Sequence, residues 1–344
     1  MDFPVSPAPH APPRIVVPSF MRRVLYALVP AALAYAWFFG FGLFFNIFIA
    51  CLFALLAEAA VLKLRHRPMR QALNDGSALV TAVLLGFALP PLTPWWIPAF
   101  GAVAAIVLGK QLYGGLGKNL FNPAMVGYVL LLVSFPVQMT QWLPPRMGDI
   151  DYHRLGFVPA LRYSLTGALP APLTVDALTR ATPLDLVKEG LREHRAFSEI
   201  RAGSLFGDIG GRGWEWINNF IALGGLYLLY TGTIRWQIPA SLLVGILVPA
   251  TVLHLLSPDR YVSAGFSLFS GATLLGAFFI ATDPVSAATT DRGRLIYGTG
   301  IGLLTYVIRT WGGYPDGLAF AVLLMNAAVP LIDRYTKPRI YGHG

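Results

Sequence analysis

The sequence predicts an all-α polytopic membrane protein of about ten transmembrane helices, arranged as two inverted five-helix repeats with broken helices. Three observations carry this expectation. Only 12% of the 344 residues are charged and 55% are hydrophobic, whereas a soluble domain is about 25% charged. Apolar runs long enough to span recur along most of the chain. Two distant stretches, 76-GSALVTAVLLGFALPP-91 and 271-GATLLGAFFIATDP-284, share a small-residue start, a short apolar run and a proline stop. With five spans per repeat, an odd number, the second copy must insert upside down.

The apolar run from Val24 to Leu62 is too long for one span and breaks at 39-FGFG-42, giving helices 1 and 2. Ala78 to Leu89 and Ile97 to Leu108, separated by 90-PPLTPWW-96, supply helices 3 and 4, and the Gly-rich 113-YGGLGKNLFNP-123 leads into helix 5. Trp142 to Gly213 is polar, Pro-rich and of mixed charge, which marks an extramembrane insertion. Helices 6 and 7 follow at Trp214–Gly232 and Ile238–Leu256, and helices 8, 9 and 10 near Phe266–Thr282, Leu295–Thr310 and Gly317–Ile332. The expected organisation is a cytoplasmic tail at 1–21, one repeat at 22–141, a periplasmic insertion at 142–213, a second repeat at 214–333 and a cytoplasmic tail at 334–344.

Charge placement gives the orientation. Fifteen of the 26 Lys and Arg residues fall in the tails and in short loops on one side, including Arg14, Arg22, Arg23, Lys63, Arg65, Arg67, Arg70, Arg235, Arg334, Lys337 and Arg339. This is the positive-inside bias. A net charge of +9 dispersed in this way fits a lipid bilayer and excludes a nucleic-acid face. Cys51 is the only cysteine, so there is no internal disulfide and no cysteine-ligated iron–sulfur cluster. The six histidines, His10, His66, His153, His194, His254 and His343, show no i, i+4 pair, so no protein-bound metal is expected. The stretch after Arg22-Arg23 lacks a cleavage pattern, and the first helix reads as a retained anchor.

The glycine-rich stretches invite a nucleotide reading that fails. Gly117-Lys118 has Leu at position 112 and Asn119 where a phosphate loop needs glycine and a hydroxyl, and 298-GTGIG-302 has the wrong spacing for a dinucleotide fold. Both read as packing or helix-break glycines. Glu58, Asp283 and Lys110 are the intramembrane ionisable residues, and snorkelling to the interface is expected of each. Asn46, Asn122, Asn218, Asn219 and Asn326 can bond across helices or line a pocket.

Within the insertion, 176-DALTRATPLD-185 places Thr182 before Pro183, with Asp185 three residues on, the pattern of a helix N-cap. The same hydroxyl can also be a point of attachment, because a phosphate esterified there would face free amides and the positive end of the helix dipole. The two readings are compatible.

Four segments carry a family resemblance: 75-DGSALVTAVLLGFALPP-91, 113-YGGLGKNLFNPAMVGYVLLLVSFP-136, the threonine segment and 270-SGATLLGAFFIATDPVSAATTDRGRLIYG-298. The chain resembles the family that includes the D component of the Rnf ion-translocating electron-transport complex and the B component of the sodium-pumping NADH:quinone oxidoreductase. The likeness runs across all ten expected spans. It implies a subunit of a redox-driven ion translocase in the bacterial inner membrane, working with the other subunits of an Rnf-type complex. It also implies FMN joined through its phosphate to a threonine by a flavin transferase, in a pattern of the type Asp-x-x-Ser/Thr-Gly-Ala-Thr. Carried across, Thr182 is the acceptor, and Asp176, Thr179 and Ala181 complete the attachment motif. Arg180 replaces the usual Gly and can either impede the transferase or pair with the flavin phosphate. The family also holds a noncovalent riboflavin, and Asn119 and Asn122 are the candidates for its neighbourhood. The stretch 270-SGAT-273 matches the end of the motif better, but Ser267 stands where Asp is required and Thr273 falls inside an expected membrane helix. The rival reading is a solute channel or secondary transporter of inverted-repeat type, with no redox cofactor.

Overall fold

A computed structural model of the chain describes residues 17–146 and 155–337. Arg14, Arg339, His10, His153 and His343 lie outside the described residues, as do parts of both expected tails. Among the described residues the fold is entirely helical, with only two isolated β-bridges. Four helices are long and apolar enough to cross a membrane: α1 (Val17–Phe39), α2 (Gly42–Leu64), and two later ones, Gln237–Leu256 and Leu318–Thr336. Between them lie α3 (Ser77–Ala88), α4 (Trp96–Ala104, continued as a π-helix over Ala105–Gln111), α5 (Pro123–Ser134), α6 (Pro183–Arg192) and α7 (Trp214–Tyr230). The Gln237–Leu256 helix is α8, and α9 (Ala264–Phe269), α10 (Asp291–Trp311) and α11 (Leu318–Thr336) complete the bundle. Helical elements therefore stand at all ten places where spans are expected, several of them short or interrupted.

Packing follows membrane logic, with small and polar residues inside and large apolar ones outside. On α2, Phe44, Phe48, Leu52 and Leu56 recur every four residues on the exposed face, while Asn46, Ala50, Ala54 and Ala57 are buried. Lipid is as apolar as leucine, so the helices are held by close backbone approach rather than by hydrophobic sequestration. At Gly302 of α10, an added Cβ would lie 2.2 Å from the Leu242 carbonyl oxygen of α8. Gly127 of α5 meets the Gly101 carbonyl of α4 in the same way, at 2.5 Å.

The expected helix 8 is broken. α9 stops at Ser270, Gly271 turns with φ +59°, and helix resumes as Thr273–Leu275 and a π-helical turn over Gly276–Ile280. Backbone groups freed at such a break must find partners inside protein. The Ala272 amide donates to Asp316 Oδ2 at 2.8 Å, and Arg309 Nη1 donates to the Ser267 carbonyl at 3.2 Å and to Thr273 Oγ1 at 2.8 Å. Arg309 and Asp316 also pair directly at 3.0 Å. Burial alone would push the Asp316 carboxyl up; the Arg309 guanidinium and the amides of Ala272 and Leu318 outweigh it and hold the group below its ordinary value.

Glu58 and Lys110 overturn the snorkelling expectation. Both are buried, at 0% and 2% exposure, and they form an ion pair between α2 and the π-helical segment. Lys110 Nζ donates to Ser77 Oγ at 2.6 Å and Gln111 Nε2 to Glu58 Oε1 at 2.9 Å. The sequence places the two residues far apart, yet folding makes them mutual counter-ions, so neither needs to reach water.

The expected inner loops gather at one end of the bundle. Arg23 donates to the Thr231 carbonyl, Arg65 to that of Gln111 and Arg67 to that of Gly114, and the Thr289 amide bonds Asp333. The residue 155–213 part of the insertion lies at the other end, built on short helices around Val187, Phe197, Ile200 and Phe206.

Candidate functional site

Thr182 stands at the mouth of a cleft between the insertion and the helix bundle. Its backbone is extended (φ −69°, ψ 161°) and its side chain caps α6. Thr182 Oγ1 accepts from the Asp185 amide at 3.2 Å, and the Thr182 amide donates to Asp185 Oδ2 at 2.9 Å. The hydroxyl itself donates to Asp185 Oδ2 at 2.6 Å. The capping reading of the sequence is therefore observed, with Pro183 at the first helical position. Thr182 is half-buried and lines the cavity while it caps α6.

That cleft encloses about 1330 Å³ including its open mouth. Its walls are largely apolar and aromatic: Trp142, Trp214, Tyr128 and Tyr314 line it together with Met125 and Leu275. Trp142 and Trp214 lie with ring centroids 5.3 Å apart, and Trp214 packs at 4.8 Å on Phe39, so one wall is a fixed aromatic surface. Ser270 Oγ, buried in the wall, has no hydrogen-bond partner. An orphaned hydroxyl beside aromatic rings suits a planar, hydrogen-bonding heterocycle.

Pro183, Leu184 and Asp185 line the cleft with Thr182, whereas residues 176–181 do not. Asp176 and Ala181 are exposed and Thr179 is half-buried, with Thr179 Oγ1 donating to the Val175 carbonyl at 3.0 Å. Arg180 is tied by its amide to the Trp142 carbonyl at 2.8 Å, which fastens the segment to a residue of the cavity wall. Its guanidinium bonds the Thr179 carbonyl at 2.9 Å. The decoy Thr273 is fully buried and engaged by Arg309 and by the Ser267 and Ser270 carbonyls.

Asn119 and Asn122 are at a different place. Both are buried and line a second, narrower cavity at the end of the bundle that carries the inner loops, with Lys110 and Asp283 among its other walls. Asn119 Oδ1 has no hydrogen-bond partner. Asn122 caps α5, accepting from the Met125 amide at 3.2 Å and donating to the Ile280 carbonyl at 3.1 Å. Asn326 of α11 accepts from the Asn122 amide at 3.0 Å and donates to Tyr297 Oη at 2.7 Å. Sequence reasoning named the asparagines but missed Trp142, Trp214 and Ser270, whose roles arise only when the insertion folds against the second half of the chain.

A family model described as NQR2, RnfD, RnfE matches residues 4–342. The chain belongs to that family. It is 53% identical over 345 residues, covering 99% of each chain, to a protein from Aeromonas salmonicida that is named as the D component of an ion-translocating oxidoreductase complex. Proteins of the same name from Aliivibrio salmonicida and Escherichia coli O81 are 49% and 48% identical, each across the whole of this chain and 99% of the relative. The threonine segment lines the first cavity and not the second.

Proposed function

We propose that this chain is the membrane flavoprotein subunit of a redox-driven, ion-translocating oxidoreductase complex of the bacterial inner membrane. On this reading Thr182 carries FMN as a phosphoester on the periplasmic side. What supports it most is the position of Thr182: a half-buried residue at a helix N-terminus, lining an aromatic cleft with an orphaned hydroxyl at Ser270. When bound, the flavin supplies the one- or two-electron chemistry. The chain's own residues orient it: Trp142 and Trp214 offer a stacking surface, Ser270 a hydrogen bond, and the first turn of α6 a positive dipole end for the phosphate.

The inner cavity, with the unpartnered Asn119 Oδ1 and with Asn122, suits a second, noncovalent flavin such as riboflavin. Electrons passing between the two positions, coupled to sodium or proton movement, would cross the bundle where its helices are broken. The matching stretches 76–91 and 271–284 both open at a glycine of positive φ, Gly76 at +80° and Gly271 at +59°, which fits inverted repeats around that crossing. The other subunits of the complex supply electron entry and exit, and a flavin transferase completes Thr182.

The decisive experiment is Thr182→Ala in the complex isolated from its native host. The covalent flavin fluorescence that comigrates with this subunit on a denaturing gel should disappear while the subunit remains assembled. Fluorescence that survives the substitution would remove the assignment.

A further inference from the structure

We infer that the far side of α6 forms a binding site for the phosphate headgroup of an anionic phospholipid. The observation is a cavity of about 950 Å³ including its open mouth, distinct from the two already described, between α6, the loop before α9 and the end of α10. Four cationic side chains line it, Lys188, Arg192, Arg260 and Arg309, and no carboxylate does.

Two of the four are committed to the protein. Lys188 Nζ donates to the carbonyls of Ile308, Arg309 and Tyr314, closing the C-terminal end of α10, and Arg309 is paired with Asp316. Among the described residues Arg192 makes one long bond, 3.4 Å to the Gly312 carbonyl. Arg260 is exposed and makes no hydrogen bond or ion pair among the described residues. Two guanidinium groups thus face one cavity with their donors largely unused, and paired guanidiniums match the oxygens of a phosphodiester. The Tyr306 hydroxyl, on a residue 2% exposed, is buried in the same wall without a hydrogen bond of good geometry, one turn from Thr310.

The surroundings select a lipid over a free anion. Trp311, 60% exposed, and Tyr261 stand at the rim, as aromatic residues do at the bilayer interface. Val307 and Leu303 continue from Trp311 as an exposed apolar strip down α10, whose end lines the cavity, and an acyl chain attached to the bound phosphate would lie along it. His254 Nδ1, 2.8 Å from the Tyr261 carbonyl, fastens the Arg260 loop to α8. The inference rests on the membrane-embedded reading of the bundle and is independent of flavin attachment.

The test uses the intact complex in bilayer discs of zwitterionic lipid, doped with a photoactivatable phosphatidylglycerol or a matched phosphatidylcholine. The expected result is preferential labelling by the phosphatidylglycerol of peptides containing 260–263 and 303–311, lowered about fivefold for each of Arg192→Gln and Arg260→Gln. Arg195→Gln, whose partner is the exposed Glu199, should leave labelling unchanged. Equal labelling by both lipids, no response to either substitution, or loss of labelling in excess inorganic phosphate would overturn the proposal. Arg260→Gln alone suffices if Arg192→Gln fails to assemble. Covalent flavin on the same samples separates failure of this site from failure of the flavoprotein assignment.

Discussion

Asn122 Nδ2 donates to the Ile280 carbonyl at 3.1 Å, linking a residue that lines the inner cavity to one that lines the cleft. Ile280 lines the cleft below Thr182 and Asn122 lines the inner cavity. Asn122 also holds α5 to α11 through Asn326. The Asn122 side chain therefore joins the start of α5 to the π-helical turn at Ile280, and its backbone amide joins the same point to α11.

Replacing Asn122 by Ala removes the cap of α5 and leaves the Ile280 carbonyl with only the longer 3.3 Å bond from the Asp283 amide. The expected cost is about 0.5–2 kcal/mol, that of a lost cap. A thermal melt of the purified complex should show it. Noncovalent flavin, released by denaturation and quantified by fluorescence, should fall, while covalent flavin on Thr182 should remain. Loss of the covalent flavin with retention of the noncovalent one would contradict this placement.

The run 298-GTGIG-302 gives a second prediction. Gly298 and Gly302 face Ser241 and Leu242 so closely that an added Cβ would meet Ser241 Oγ at 2.0 Å and the Leu242 carbonyl at 2.2 Å. Gly302→Ala should force α8 and α10 apart and cost about 1–3 kcal/mol. Gly313, with open space around its Cβ position, should accept alanine with no effect beyond its loop. Equal melting temperatures for Gly302→Ala and Gly313→Ala would show that the helices do not pack as described.

What could be read from the sequence was whatever is encoded locally. The Thr182 cap needs only four consecutive residues, and the packing role of Gly298 and Gly302 follows from a small-residue spacing along one helix. The break at Gly271 was hidden, because 271-GATLLGAF-278 is apolar enough to pass as uninterrupted helix and the residues that stabilise the break, Arg309 and Asp316, lie in other elements. Glu58 and Lys110 were misjudged for the same reason, since each looks like an interfacial residue until its partner, 52 positions away, is brought alongside. The aromatic wall of the cleft depends on the insertion docking at Trp142 and Trp214, which no periodicity announces.

The Glu58–Lys110 pair makes a third prediction with a clear sign. Lys110→Ala leaves a carboxylate at 0% exposure without its counter-ion, with Gln111 as its remaining donor. Breaking such a pair costs about 3–5 kcal/mol. The single variant should assemble poorly, as judged by subunit yield in membranes. Glu58→Gln combined with Lys110→Met should recover much of that yield, because neither residue then carries charge. Normal assembly of Lys110→Ala would mean that the pair is not buried in the protein.

Lys188 supplies a prediction in pH. Burial beneath α6, followed by repulsion from Arg192, lowers its amine to about 8, against a smaller opposing pull from Asp185. An unfolded lysine titrates near about 10.4. Between those two values the unfolded chain binds more protons than the folded one, so stability contributed at this site rises with pH from about 8 towards 10 and is flat below about 8. In the complex carrying isotopically labelled dimethyl-lysine, the resonance assigned through Lys188→Arg should titrate with a midpoint of about 8. A midpoint at or above 10 would mean that Lys188 is solvated and that α6 does not lie on the end of α10.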